Sequence, residues 1–318
     1  MENPMAQVTP QMVKELRETT GAGMADCKKA LDQAEGNMEK AIVFLRERGL
    51  AAAAKKSGRA ASEGMVAAAV SQDGSTGHLI EVNCETDFVT RNEEFQKFVE
   101  TMKTVALEAK VSSVEELQSA KYPGGASVKD TVTTLVAKIG ENIMVRRYSS
   151  LGKSNTAVAS YVHAGGRIGV LVELAGTGVQ TKANSDEVQT IGKDVALQVA
   201  AMKPTFLNRE SITPEVLERE KEVFWNQYKN QGKPDAALPK IVSNRVETWF
   251  KEACLVDQIF VKDESKTVAK MVAEAGSKLG IANLTVANFV RLELGEGVEK
   301  KSQDFAAEVA EQMAAAQK

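Results

Sequence analysis

Histidine is almost missing from this chain of 318 residues: His78 and His163 are the only two, which excludes a His-rich metal site or a centre built on several imidazoles. Cysteine is scarce as well. Cys27, Cys84 and Cys254 are odd in number, far apart and without C-x-x-C pairing, which argues against a disulfide framework or a zinc site and for a reducing, cytoplasmic setting. An excess of one charge is lacking too, since 40 Lys and Arg stand against 43 Asp and Glu for a net charge of −3, so no global positive field exists to hold nucleic acid. No apolar run approaches the roughly 18 residues of a membrane span, and Met1 to Gln7 has neither the basic nor the apolar region of a signal peptide. Neither a membrane nor a nucleic acid is therefore expected as a direct partner. What is present, 43% hydrophobic and 26% charged residues, is the composition of a globular chain.

Apolar spacing and cap signals predict three short helices in the first fifty residues. Thr9 can cap a helix opened by Pro10, with Val8 stapled onto Val13, and Thr20-Gly21-Ala22-Gly23 ends it. Cys27, Ala30, Leu31 and Ala34 stripe the second helix; Met38, Ala41, Ile42 and Leu45 stripe the third, which is expected to stop at Gly49 before a basic, small-residue linker. Strand-like runs at Met65 to Val70 and His78 to Cys84 then predict a β-hairpin. Helices near Glu93 to Ala109 and Val128 to Ile139 and a strand near Ile143 to Tyr148 complete a β-β-α-α-β unit.

Ninety residues on, the pattern recurs, with Ile80 and Val82 matching Val170 and Val172 and Val105 to Leu107 matching Val195 to Leu197, an internal duplication. The second copy carries an insertion that reads as a helical hairpin, striped by Val216, Leu217, Val223, Phe224 and Tyr228 going out and Val242, Val246, Trp249 and Ala253 coming back. Five of the sixteen aromatic residues lie in this arm, where they are expected to pack its two helices together. The expected fold class is α+β. Its parts are a three-helix partner-binding module (1–52), a linker (53–63), two duplicated subdomains with antiparallel sheets (64–152 and 153–300, the second with the hairpin at 213–255) and a C-terminal helical module (301–318).

Nucleotide-site signatures come close and fail. Gly152-Lys153-Ser154 resembles the end of a phosphate loop, but Arg147 stands where the loop's first glycine belongs. Gly21-Ala22-Gly23, Gly176-Thr177-Gly178 and Gly295-Glu296-Gly297 lack the third glycine of a dinucleotide fingerprint. No G-x-S-x-G, H-E-x-x-H or EF-hand loop is present. Cys84 ahead of Glu85 and Asp87 could be read as a nucleophile, but carboxylates raise a thiol's pKa and no cation is visible to stabilise the thiolate. No catalytic residue and no cofactor are expected.

The informative segment is Glu81-Val82-Asn83-Cys84-Glu85-Thr86-Asp87-Phe88-Val89, a strand end leading into a helix. Spacing alone makes Asp87 or Thr90 a helix cap, with Thr90-x-x-Glu93 as a capping box, and buries Phe88 in the core. The same residues resemble a signature of the bacterial elongation factor Ts family, centred on Thr86-Asp87-Phe88-Val89. Leu16 to Leu31 (LRETTGAGMADCKKAL) resembles another. The likeness continues through Gly140-Glu141-Asn142-Ile143, Gly232-Lys233-Pro234, Phe260-Val261-Lys262-Asp263, Arg291 to Gly297 and Phe305 to Val309.

That resemblance implies a non-enzymatic guanine-nucleotide exchange factor for elongation factor Tu, in its GDP-bound and nucleotide-free forms, with no cofactor of its own. It implies a ubiquitin-associated-like fold for the three-helix module and a protruding coiled-coil arm for the hairpin. It places Thr86, Asp87, Phe88 and Val89 beside the partner's Mg²⁺ and phosphate site, Phe88 as apolar wedge and Asp87 as the acid that disturbs the metal. Thr90 departs from the family's usual alanine or serine. Met24 is a further candidate contact, with a core methionine as the other reading, and so are Phe305 and Val309, which could equally fold back on this chain. Homodimerisation is left open. The competing function is an adaptor that binds ubiquitin-like or nascent polypeptides through the first fifty residues, which leaves the duplicated region without a purpose.

Overall fold

Thr9 caps the first helix as its sequence predicts, its hydroxyl accepting the Met12 N–H at 3.2 Å, in a computed structural model that describes residues 8–298. Helix α1 (Pro10–Thr20) ends at Gly21 in the left-handed conformation, and α2 (Met24–Gln33) and α3 (Met38–Lys56) follow. Val13, Leu16, Cys27, Ala30, Leu31, Ala34 and Ala41 form their shared core, with Val8 packed against it. Two expectations are corrected here. Helix α3 does not stop at Gly49 but runs to Lys56, so residues 53–56 are helix rather than linker. The cost of a mid-helix glycine, about 1 kcal/mol against alanine, is offset by packing, because Gly49 is buried against Ala137 and Thr133 of α7 (Val128–Ile139). Ile42, placed on the core stripe, is an exposed residue, and Phe44 packs in its stead.

The duplicated region forms two three-stranded antiparallel sheets. Strands β1 (Glu63–Val70), β2 (Gly77–Cys84) and β3 (Met144–Leu151) make one; β4 (Thr156–His163), β5 (Ile168–Thr177) and β8 (Ala282–Glu293) make the other, with the first-formed hairpin extended by the last strand in both. One face of the first sheet packs on α5 (Glu93–Ala109), α6 (Val114–Ser119) and α7 through Ile80, Val82, Phe95, Met102 and Leu135. One face of the second packs on α8 (Asp186–Met202) and α11 (Val268–Lys278) through Val170, Val172, Val195 and Val272. Val66, Leu79, Val158 and Leu171, on the opposite faces, join the sheets back to back, so β2 is buried along its whole length.

The back-to-back contact is two-fold. The Val66 N–H donates to the Gly166 carbonyl at 2.8 Å and the Val158 N–H to the Gly74 carbonyl at 2.8 Å. A Cβ on Gly77 would lie 2.6 Å from Val158 Cγ1, and one on Gly169 would lie 2.4 Å from Val66 Cγ1. Each of these pairs is offset by 92 residues, so the strand repeat is 92 rather than the 90 read from the sequence, and Ile80 corresponds to Val172. The helix caps Asn92 and Ser185, and the left-handed termini Lys110 and Lys203, are offset by 93. Strand alternation has a period of two, so an even slip keeps every apolar residue on its own face and leaves the pattern unchanged.

A buried carboxylate ties the sheets at one end. Glu81 of β2 is fully buried and accepts from Arg146 Nη1 at 3.2 Å, from Arg147 Nε, and from the Gly295 N–H at 2.8 Å. Arg147 also donates to the Glu293 carbonyl and Arg146 to the Glu296 carbonyl, both at 2.6 Å, which draws the end of β8 onto β3.

The inserted hairpin consists of α9 (Pro214–Asn230) and α10 (Leu238–Ala253), packed through Phe224, Val242, Val246 and Phe250 with Trp225, Tyr228 and Trp249 beside them. Val223, assigned to that stripe by spacing, is exposed. A short hairpin, β6 (Ile259–Phe260) with β7 (Asp263–Thr267), follows the arm and has no counterpart in the sequence reading. The expected C-terminal helix, residues 301–318, lies outside the described residues. Among the described residues no helix is long and apolar enough to cross a membrane.

Candidate functional site

At the end of β2 the chain leaves the sheet through Glu85 and Thr86 and turns once as α4 (Asp87–Thr90). Val89 is buried in the first-sheet core. Successive helical residues point about 100° apart, so anchoring Val89 turns Phe88 away from the protein. Phe88 is 75% exposed, which corrects the buried position that spacing alone gave it. The capping expectation is also corrected. Asn92 caps α5, accepting from the N–H groups of Glu94 at 2.9 Å and Phe95 at 3.3 Å, while the Thr90 hydroxyl donates to the Asp87 carbonyl at 2.6 Å and tightens the turn.

Thr86 occupies the N-cap position of α4 in extended conformation, yet its side chain caps nothing in the helix. Its hydroxyl donates instead to Glu141 Oε1 at 2.6 Å, and the N–H groups of Glu85 and Thr86 donate to Glu141 Oε2 at 3.1 and 3.0 Å. Glu85 reciprocates, accepting the Asn142 N–H at 2.6 Å and Arg59 at 3.5 Å. Asp87 pairs with Arg91 at 3.3 Å, one helical turn on. Both partners are at least half exposed, and such pairs contribute about 0.3–0.5 kcal/mol, so this carboxylate is readily released to another partner.

Met24 opens α2 and is 47% exposed, so it is not a core methionine. Lys138 links the preceding Gly21 turn to the start of α5: a Cβ on Gly21 would lie 3.4 Å from Lys138 Nζ, and the same ammonium pairs with Glu94 in the first turn of α5. The Gly21 to Met24 turn and the segment just after the Phe88 loop thus flank one lysine. Phe305 and Val309 lie outside the described residues. The sequence reading missed Lys138 and the tie made by Glu141, because their partners are dozens of residues away and no local spacing announces them.

Cys84 is fully buried, and its thiol donates to the Thr86 carbonyl at 3.1 Å. Burial first, then the Glu141 and Glu63 carboxylates, push its pKa up to about 12. A nucleophilic role needs a thiolate, which this site suppresses. Iodoacetamide at pH 8 should leave Cys84 unmodified in the native protein and alkylate it fully in urea, read by peptide mass spectrometry; native labelling at a free thiol's rate would contradict the burial. Among the described residues no three His, Cys, Asp or Glu side chains converge to hold a metal.

A family model described as Elongation factor TS matches residues 85–296. Elongation factor Ts of Clostridium acetobutylicum is 47% identical over 307 residues, 96% of this chain and 98% of that protein. The proteins of the same name from Clostridium perfringens strain 13 and Clostridium novyi are each 48% identical, over 303 and 308 residues, covering 95% and 96% of this chain and 98% and 99% of theirs.

Proposed function

The chain belongs to the elongation factor Ts family, and on that premise we propose that it is a guanine-nucleotide exchange factor for elongation factor Tu, with the Thr86–Val89 loop as its working edge. The observation that carries this reading is the exposed Phe88 ring on a one-turn helix held at two points, by Thr86 at its N-cap and by the buried Val89. Phe88 is the most exposed of the large apolar side chains among the described residues, and a ring held out on an anchored turn offers a partner a large apolar area to bury.

The proposed mechanism is linkage. A factor that binds the nucleotide-free GTPase more tightly than the nucleotide-bound form weakens nucleotide binding by the same ratio. Phe88 would wedge between elements beside the partner's Mg²⁺ and phosphate site, while Asp87, released from Arg91, brings a carboxylate to the metal's surroundings. The Mg²⁺ is the largest local positive charge holding the phosphates, so a small displacement there has a large effect. Met24, exposed on the module that α1 to α3 build, would add a contact beside the loop, and the second subdomain and its arm would reach other parts of the same partner. The proposed division of labour follows the helical module that ends at Lys56, the first subdomain that begins at Glu63 and the second that begins at Thr156.

Release of fluorescent GDP from purified elongation factor Tu tests the reading. Adding this protein at substoichiometric amounts should accelerate release with turnover; a rate equal to spontaneous release would overturn the assignment.

A further inference from the structure

The Phe88 ring makes too little contact with its own protein to be held by packing, so the direction it points in is set by its neighbours. Val89 is one anchor. The other is Glu141, whose carboxylate takes two successive backbone N–H groups and the Thr86 hydroxyl. Consecutive amides converging on one anion form a rigid cradle. Glu141 reaches it because Gly140 ends α7 at φ +91°, a conformation open to glycine, and so turns the next residue back toward the end of β2.

The tie is reciprocal, since Glu85 accepts the Asn142 N–H. It also has a third leg. The buried Asn142 amide donates to the Arg59 carbonyl at 2.8 Å and the Arg59 guanidinium meets Glu85, so the segment leaving α3 closes on the same joint. The loop, the α7–β3 turn and the exit of the N-terminal module therefore share one cluster of hydrogen bonds.

We propose that Glu141 is a positioning residue for nucleotide exchange: it holds the Thr86–Val89 loop in the conformation it uses on the partner, and it acts on the partner only through Phe88. The inference rests on the exchange reading above. A loop fixed beforehand is delivered without the cost of ordering it on binding, and a freed loop meets that cost each time its ring inserts.

The test uses the full chain as wild type, Glu141→Ala, Glu141→Gln, Phe88→Ala and the Phe88→Ala, Glu141→Ala double variant. Each is assayed for GDP release from elongation factor Tu and for hydrogen exchange at the Glu85 and Thr86 amides. Glu141→Ala should lose about tenfold in kcat/KM, equivalent to ~1.4 kcal/mol, with faster amide exchange at both positions and the chain still fully folded at the assay temperature. Glu141→Gln, which keeps an oxygen for the two N–H groups, should stay within about twofold of wild type. In the Phe88→Ala background, Glu141→Ala should add little, because the ring it positions is gone.

Undiminished exchange by Glu141→Ala alongside an impaired Phe88→Ala would overturn the inference while leaving the exchange reading intact. So would a Glu141→Ala loss that persists in full on the Phe88→Ala background, or Glu85 and Thr86 amides as protected as in wild type. A wild type that does not accelerate release would instead overturn the exchange reading, and the role of Glu141 in it.

Discussion

Phe88→Ala is expected to slow nucleotide exchange by ten- to a hundredfold and to leave the melting temperature where it was. The two halves of this expectation follow from one number, the 75% exposure of the ring in the free protein. A side chain that is mostly in water contributes little to folding, and truncating it should change stability by no more than about 0.5 kcal/mol. Buried on a partner, the same ring would contribute roughly 1.5–3 kcal/mol, and each 1.4 kcal/mol corresponds to about tenfold. Stopped-flow release of labelled GDP and a thermal melt on the same preparation measure both. Phe88→Leu, which keeps an apolar body of similar reach, should recover part of the rate. Wild-type exchange by the alanine variant would eliminate the wedge, and a lowered melting point would mean that the ring belongs to the protein's own core after all.

The contrast between Phe88 and its surroundings also separates what local sequence reveals from what it hides. Helices with their own start signals were legible: α5 and α7 span the residues that apolar spacing assigns them, and Thr9 and Pro10 open α1 as capping chemistry requires. Errors arise where a distant contact decides. Gly49 reads as a helix stop, yet α3 continues through it because α7 packs against it. Thr90 reads as the cap of α5, but its hydroxyl serves the α4 turn and Asn92 takes the cap. The repeat was legible to within a slip of two residues in the strands, which alternation cannot detect and the Val66–Gly166 and Val158–Gly74 hydrogen bonds resolve, and of three in the helices, where Asn92 and Ser185 are offset by 93. At the candidate site, the residue types of the loop were visible in the sequence, but the exposure of Phe88 was not. Exposure follows from Val89 being drawn into the core and Thr86 being tied to Glu141, 55 positions away.

Glu81→Ala should have the opposite signature, a large loss of stability with exchange per folded molecule retained. Glu81 carries a fully buried carboxylate satisfied by Arg146, Arg147 and the Gly295 N–H. Removing one partner of such a cluster typically costs 3–5 kcal/mol, because the remaining charges face a cavity instead of a counter-ion. Both arginines keep about a quarter of their side chains in water, which moves the expectation to the lower end, about 3 kcal/mol. The loss should fall on the joint between the two sheets, since Arg146 and Arg147 also hold the carbonyls of Glu296 and Glu293 at the end of β8. Its two-fold counterpart Glu173 is buried as well but accepts the Thr156 hydroxyl within its own sheet at 2.8 Å, so it cannot take over the tie. Urea unfolding followed by far-ultraviolet circular dichroism is the appropriate measurement, because both tryptophans, Trp225 and Trp249, sit in the arm and their emission reports on its packing rather than on the sheets. A wild-type urea midpoint for Glu81→Ala would mean that the arginines find equal partners elsewhere and that apolar packing of Val66, Leu79, Val158 and Leu171, with the Val66–Gly166 and Val158–Gly74 hydrogen bonds, suffices to hold the sheets together.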